Sequence, residues 1–503
     1  MSSILRHRSF LLGYDIGSSS VKAALVDADT HEAIEVVQSP QDAMPIHSLH
    51  LGWAEQDPEM WWSHLCIATK ELLRKSSVDP QDIKGMGIAY QMHGLVCVDK
   101  NQNVLRPAII WCDSRAVHIG NNALDILGQE RCLTHLLNAP GNFTASKLRW
   151  VKEYEPEIYD RITKVMLPGD YIAMKLTGEI MTTPAGLSEG MLWNYINDDI
   201  AEFVLDHYGI DPVCIPDITP VFSQQGSVHD KGAKETGLAI GTRVVYRAGD
   251  QPNNAMSVGV LHPGDIAASG GTSGVVYGVV DKLTYDAQSR INSFMHVNHT
   301  VQLPRIGVLL CINGAGSQYN WVKRHVAQSA MTYEQMEKEA SSVPAGSDDL
   351  RVLPFGNGTE RMLGNIETAA AILHLDFNRH TTAHLYRAAL EGIAFAFVHG
   401  VKMMEDIGVG VHVIRVGNDN LFQSEIFSSV IATLLKCRID VIQTTGAVGA
   451  AKAAGVATGI YNSPDDAFHE NKILRSYEPA GNANQMKDAF LAWEKDLNTV
   501  LPL

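Results

Sequence analysis

Residues 248–274 read A-G-D-Q-P-N-N-A-M-S-V-G-V-L-H-P-G-D-I-A-A-S-G-G-T-S-G, near the middle of a 503-residue chain. The run holds two chemical devices. Asp250 sits on a Gly-Asp turn directly after the apolar run Val244-Val245-Tyr246, an end-of-strand placement suited to a catalytic acid or base. Gly270, Gly271, Thr272, Ser273 and Gly274 form a small-residue turn whose backbone N–H groups can approach an anion closely. Val275 to Val280 then resumes a strand-like run.

The start of the chain carries the same pattern. Residues 11–26, L-L-G-Y-D-I-G-S-S-S-V-K-A-A-L-V, read as strand, Gly/Ser turn and strand. Setting Gly17-Ser18-Ser19-Ser20-Val21 over Gly271-Thr272-Ser273-Gly274-Val275 gives an offset of 254 positions (271 − 17). A lone Gly/Ser hairpin is usually an ordinary turn. Repeated half a chain apart, with Asp15 and Asp250 nearby, it predicts two related halves closing on one polyphosphate.

A chain of 503 residues is too long for one core and predicts at least two domains. The repeat divides it into 1–254 and 255–503. Hydrophobic content of 45% with 19% charged residues is that of a globular protein. The net charge of −16 argues against nonspecific binding of nucleic acid or an anionic membrane. It leaves an anionic substrate open, because a glycine turn holds phosphate locally. Seven scattered cysteines without a C-x-x-C pair point to reduced thiols and away from a zinc site. Met1 to Phe10 has no signal-peptide pattern, and no run of about 20 apolar residues suggests a membrane span. A soluble, cytoplasmic protein is expected, with a homodimer left open.

Asp57 before Pro58 predicts a helix start, running to about Lys75 with Trp61, Leu65 and Leu72 inward. Within Ile83 to Val98, two apolar strands flank Gln91-Met92-His93-Gly94, so a turn presents His93; a single histidine more often only ties its own turn. Leu105 to Arg115 reads as a strand ending in Trp111, Asp113 and Arg115. Such an end suits a polyol pocket, with aromatics over C–H faces and polar groups on hydroxyls. A surface Asp113–Arg115 ion pair fits the same spacing. Residues 120–208 are mainly helical, apart from a polar loop expected over Thr182 to Trp193.

In the second half, a helix beginning near Gly314-Ala315-Gly316-Ser317 has a small-residue N-terminus that can abut a nucleotide or simply pack tightly. The loop Leu353 to Arg361 carries two charges, functional or solvated. Val411 to Asn420 is a strand ending in Gly417-Asn418-Asp419-Asn420, followed by a helix, an arrangement suited to a base or ribose. Gly446 to Gly459 reads as a helix packed closely on a sheet, because it lacks the Lys-Ser/Thr ending of a phosphate loop.

G-Y-D-I-G-S-S-S-V-K (13–22), W-A-E-Q-D-P-E-M-W-W (53–62), G-I-A-Y-Q-M-H-G (87–94), L-R-P-A-I-I-W-C-D-S-R (105–115), the central G-D with G-T-S-G, and A-L-E-G-I-A-F-A (389–396) together resemble the FGGY carbohydrate kinases, most closely the xylulokinases. The resemblance covers nearly the whole chain. It implies a two-domain α/β, actin-like (ribonuclease H-like) fold with the active site in the cleft. The N-terminal domain would bind sugar and phosphate and carry the base; the C-terminal domain would bind the nucleotide. It further implies Asp250 as catalytic base and a sugar site at Met92, His93, Gln251, Trp111 and Asp113. ATP would meet Ser18, Ser19, Ser20 and Lys22, then Gly271, Thr272, Gly316, Asn320, Gly417 and Asn418. Mg²⁺ would reach Asp15 and Asp250 through water.

The implied reaction is phosphorylation of D-xylulose at O5, with an aspartate of ordinary pKa, about 3.9, ionised at neutral pH. Related alternatives are a ribulokinase, sedoheptulokinase or glycerol kinase. An actin-like ATPase would share the hairpins but not Q-M-H-G or W-C-D-S-R.

Overall fold

β1 (Phe10–Ile16) and β2 (Val21–Asp27) pair antiparallel with Asp15 opposite Lys22, and β3 (Ala33–Ser39) continues the meander. The structure is a computed structural model and describes residues 8–327, 331–418 and 420–501. Asp419 of the expected nucleotide turn, and the first seven residues, lie outside that set.

α1 (Pro58–Ser76) starts where Asp57 accepts the Glu59 N–H and Pro58 fills the first turn. β4 (Ile83–Tyr90) runs parallel to β1. Among the helices that follow are α2 (Thr144–Tyr154) and α3 (Pro184–Glu189). β5 (Val244–Gly249) then pairs parallel with β4, and α4 (Asp250–Ser257) leaves its end. The sheet order is β5-β4-β1-β2-β3.

The second half builds the same sheet again. β6 (Asp265–Gly270), β7 (Gly274–Val280) and β8 (Ile306–Ile312) form the antiparallel meander. Next come α5 (Ala315–His325) and α6 (Thr382–Asp406). β9 (Val413–Gly417) lies parallel to β6, and after α7 (Glu425–Leu435), β10 (Arg438–Ile442) lies parallel to β9. The central order β8-β7-β6-β9-β10 of this seven-stranded sheet repeats the first. α8 (Gly446–Ala457) follows β10. Three antiparallel strands continued by two parallel ones, twice over, is the actin-like, ribonuclease H-like architecture.

The chain forms two compact units. The first takes the residues up to Leu261 together with Phe294–Arg305 and Thr444–Glu470; the second takes His262–Ser293, Ile306–Gln443 and Asn471–Leu503. Division by packing therefore differs from a single cut after residue 254, because α8 leaves the second sheet and packs on the first.

Alternation along β1 explains how α8 seats there. Phe10, Leu12, Tyr14 and Ile16 share a core with Trp61, Leu65 and Leu72 of α1, and the Tyr14 hydroxyl lies 2.8 Å from Thr69 Oγ1. The opposite face presents Leu11, Gly13 and Asp15. A Cβ on Gly13 would collide with the α8 backbone at Ala447 and Ala451, and one on Gly87 with Ala450. The close helix–sheet packing read from the Gly/Ala run is thus present.

Two local readings change. Residues 182–193 contain α3, begun by Thr183, which accepts the Gly186 N–H, with Pro184 in the first turn. The strand expected over 105–115 is confined to Ala108–Ile109.

Replacing Gly13 by Val pushes α8 off the sheet and is expected to cost about 3 kcal/mol in urea unfolding, the scale of overpacking a core. Gly481→Val serves as control, because a Cβ there meets nothing. Equal unfolding midpoints for the two variants would remove the close approach from the account of stability.

Candidate active site

In an open α/β sheet the carboxyl ends of parallel strands gather at one edge, beside the point where strand order reverses. In the first unit that edge collects Asp15 near the end of β1, the turn 17–20, residues 91–94 after β4, and Asp250 after β5.

Asp15 points to the α8 face. The helix N-terminus reaches it because residue 446 is glycine: a Cβ there would lie 2.8 Å from Asp15 Oδ2 and 2.6 Å from Asn254 Oδ1. Burial raises the Asp15 pKa, with the Lys22 ammonium pulling it back. Asp250 opens α4 rather than standing on a free turn. Burial, then the charge of Asp15, pushes its carboxyl up to about 7, with hydrogen bonds from Gln251 opposing. The ordinary carboxylate value expected from the sequence does not hold here. Asn253, fully buried, ties α4 to α8 through a 3.0 Å bond from Nδ2 to the Gly446 carbonyl.

The turn 17–20 is braced from below. Gly17 N–H donates to Ser20 O at 3.0 Å, Met44 N–H to Ser19 O at 2.8 Å, and Gln91 N–H to Ile16 O at 2.8 Å. Gln56 Nε2 donates to Ser18 O at 2.7 Å, while its Oε1 accepts from Trp61 Nε1 at 3.0 Å. The W-A-E-Q-D-P run is therefore scaffold: Gln56 holds the turn, Asp57 caps α1 and Glu55 pairs with Arg115 at 2.7 Å.

Met92 is buried against Gly249, just before Asp250. His93 has a left-handed backbone (φ 61°), and its ring lies 4.8 Å from Phe143 and 5.2 Å from Phe294 between centroids. Trp111 is 53% exposed, with its indole N–H 3.4 Å from Ser18 Oγ, so the expected sugar aromatic and the expected phosphate turn meet.

Asp113 belongs elsewhere. Fully buried, it accepts the Ala54 N–H at 2.6 Å and pairs with Arg115 at 2.7 Å, whose guanidinium lies 3.8 Å over the Trp53 ring. It is neither a surface ion pair nor pocket lining, because both its oxygens are engaged inside the scaffold.

In the second unit, parallel β6 and β9 bring the turn 271–273 and Gly417-Asn418 to one sheet edge. Gly316 N–H donates to Gly271 O at 3.1 Å and Ser317 N–H to Thr272 O at 3.0 Å, so the hairpin caps the first turn of α5. Thr272 and Asn418 are exposed, and Asn320 lies one turn beyond Gly316 on the same helix face. Of the two loop charges, Glu360 is buried and accepts the N–H groups of Asn313 and Gly314 at 3.0 and 3.1 Å, with burial raising it to about 7.

Two residues at the first edge had no sequence signal, Glu189 and Lys147. Glu189 Oε2 accepts the His93 N–H at 3.1 Å, and Lys147 Nζ donates to the His93 carbonyl at 2.8 Å. Both sit on helices remote in sequence from residue 93. Gly446 could have been found from the small-residue run.

The chain is 28% identical to the xylulose kinase of Bacillus subtilis (strain 168), over 98% of each protein. It is 30% identical to the xylulose kinase of Escherichia coli (strain K12), over 91% of each. The crystal structure of xylulose kinase from Rhodospirillum rubrum aligns with a TM-score of 0.87 at 25% identity, covering 98% of this chain and 99% of that one. The profile of the FGGY family of carbohydrate kinases, N-terminal domain, matches residues 10–257, and that of its C-terminal domain matches residues 266–458. With both profiles matched in order on a twice-built sheet, the chain belongs to the FGGY family of carbohydrate kinases.

Proposed function

We propose that the protein transfers the γ-phosphoryl group of ATP to O5 of D-xylulose, with Asp250 as the base. The observation that carries this reading is Asp250 itself: a carboxyl at the end of β5, beside Asp15 and one residue after the Gly249 against which Met92 packs, raised to about 7. A base titrating near the working pH takes a hydroxyl proton more effectively than an ordinary aspartate. Similarity to two xylulose kinases over nearly the whole chain supports the sugar.

The sugar O5 attacks the γ-phosphorus, the bond from that phosphorus to the β–γ bridging oxygen breaks, and the O5 proton passes to Asp250 as ADP leaves. Little covalent work falls to the protein, so positioning and charge stabilisation dominate. In the proposed arrangement Met92, His93, Trp111 and Gln251 orient the sugar. The turn at Ser18, Ser19 and Ser20, with Lys22, takes phosphate, as does the turn at Gly271 and Thr272. Gly316, Asn320, Gly417 and Asn418 serve the rest of the nucleotide. The first unit thus supplies the sugar site and base, the second most of the nucleotide site.

Mg²⁺ fits the carboxylates present. Asp15 and Asp250 raise the local negative charge, with Lys22 opposing it at Asp15, and no group of three or more ligating side chains occurs among the described residues. Such a site suits a cation that keeps waters and binds substrate phosphates, rather than one caged by protein. Asp15 and Asp250 would hold it through water, and when bound it neutralises charge on the phosphates. The free thiols of the described residues accord with a reducing cytoplasm.

Asp250→Asn is expected to keep sugar and ATP binding and to lose turnover by about 10²- to 10⁴-fold, the range for removing a general base. Turnover of xylulose within a few-fold of wild type would exclude Asp250 as the base. ADP release across ketopentoses, heptuloses and glycerol tests the sugar separately.

The raised carboxyl also predicts a stability signature. Between about pH 4 and 7 the folded protein holds a proton on Asp250 that the unfolded chain has released, so stability falls as pH rises through that window. Without Mg²⁺ or nucleotide, Asp250→Asn should melt above wild type at pH 8, with the gap shrinking toward pH 5. A gap independent of pH would show an ordinary carboxylate.

Thr272→Val removes one hydroxyl from the second turn and is expected to raise the KM for ATP by roughly 3- to 10-fold. The KM for sugar should stay put. The reverse pattern would reassign that turn.

A further inference from the structure

The peptide at residue 93 is held by side chains that the reaction above does not use. A left-handed backbone is uncommon for a non-glycine residue and persists only where its surroundings over-determine it. Here the surroundings do so. The His93 N–H donates to Glu189 Oε2 at 3.1 Å, and the His93 carbonyl accepts from Lys147 Nζ at 2.8 Å. His93 Nδ1 lies 2.9 Å from the Glu189 backbone carbonyl. A carbonyl oxygen can only accept, so Nδ1 carries the hydrogen and Nε2 is the acceptor nitrogen.

The same ammonium reaches a second loop. Lys147 Nζ donates to the Ile110 carbonyl at 3.0 Å, one residue before Trp111. One buried cation thus ties the loop bearing Met92 and His93 to the loop bearing Trp111. Glu189 is 2% exposed and Lys147 not at all. Fixing a turn does not require two buried ionisable groups, since a glycine at 93 would adopt the same backbone without them. Around Glu189 stand Tyr90 from β4, Asp170, Asp250 from α4 and Lys147 from α2.

We propose that the side chains of Glu189 and Lys147 are positioning groups that lock the His93 backbone in its left-handed conformation, which seats Nδ1–H on the Glu189 backbone carbonyl and aims Nε2 to accept a hydrogen bond from one sugar hydroxyl, so setting which ketose is used. The inference rests on the proposed contact between His93 and the sugar.

The test is a mutant cycle read by the KM for xylulose, the KM for ribulose, the KM for ATP, kcat and melting temperature. Glu189→Met keeps the bulk of the side chain and removes the acceptor; Lys147→Met removes the donors. Each is expected to raise the KM for xylulose about 10-fold, to flatten the xylulose-to-ribulose preference, and to leave the KM for ATP within about 2-fold. Glu189→Gln, which keeps an acceptor oxygen for the His93 N–H, should restore near-native values. In a His93→Ala background Glu189→Met should add less than about 2-fold, because residues acting through one another are not additive.

Full multiplication of the two effects, or a loss of melting temperature with the sugar preference intact, overturns the inference while the sugar role of His93 stands. An unchanged KM for xylulose in His93→Ala alone removes that role, and the inference with it; Asp250→Asn still tests the base independently. Should Lys147→Met fail to fold, the Glu189 pair decides.

Discussion

How near a helix can come to a β-sheet governs the first unit. Side chains normally keep a helix axis well off a sheet, yet on β1 and β4 the chain offers hydrogen in place of Cβ at Gly13 and Gly87, and the α8 backbone lies directly against them. Asp15, two residues beyond Gly13 on the same face, is thereby brought to the α8 N-terminus. Glycine at 446 then lets the carboxylate and the first helical turn share a space no larger side chain would leave. Asn253 adds the lateral tie from α4, so the segment that carries Asp250 and the helix that meets Asp15 are fixed together.

Bringing two carboxylates into one partly buried recess disfavours their ionised forms. Burial and mutual repulsion are what raise Asp250, and Lys22 offsets burial at Asp15. The site is held in an electrostatically uncomfortable state by a fold that over-determines it. In the proposed reaction a bound cation, or the sugar proton arriving on Asp250, would relieve that state.

Much of this was legible in the chain. Gly/Ser turns between apolar runs identified both hairpins, Asp57-Pro58 marked α1, and the Gly/Ala run of 446–459 announced a helix against a sheet. These are local signals, in which a few neighbouring residues dictate the backbone. What escaped was settled at long range. Nothing near residue 113 tells that the Ala54 N–H meets its carboxylate, or that Trp53 and Glu55 close on its partner Arg115 and bury the pair. Nothing near residue 93 points to Lys147 or Glu189, which lie 54 and 96 positions away. Thr183-Pro184 was a helix start hidden in a polar stretch. The rise of Asp250 to about 7 depends on its burial and on a second carboxylate more than two hundred residues earlier.

The placement of α8 also bears on the order in which the protein takes shape. The first sheet draws its strands from residues 10–249, but the helix that covers one face of it comes from Thr444–Glu470. On a ribosome, that face, with Leu11, Gly13, Gly87 and Ala89, lacks its α8 cover until Gly446–Ala457 has been made. The N-terminal half therefore cannot finish as an independent module, although domains generally fold as they emerge. Its last layer arrives only after strands β6 to β10 of the second sheet have been synthesised, so the long-range contacts that complete that face are among the last the nascent chain can form.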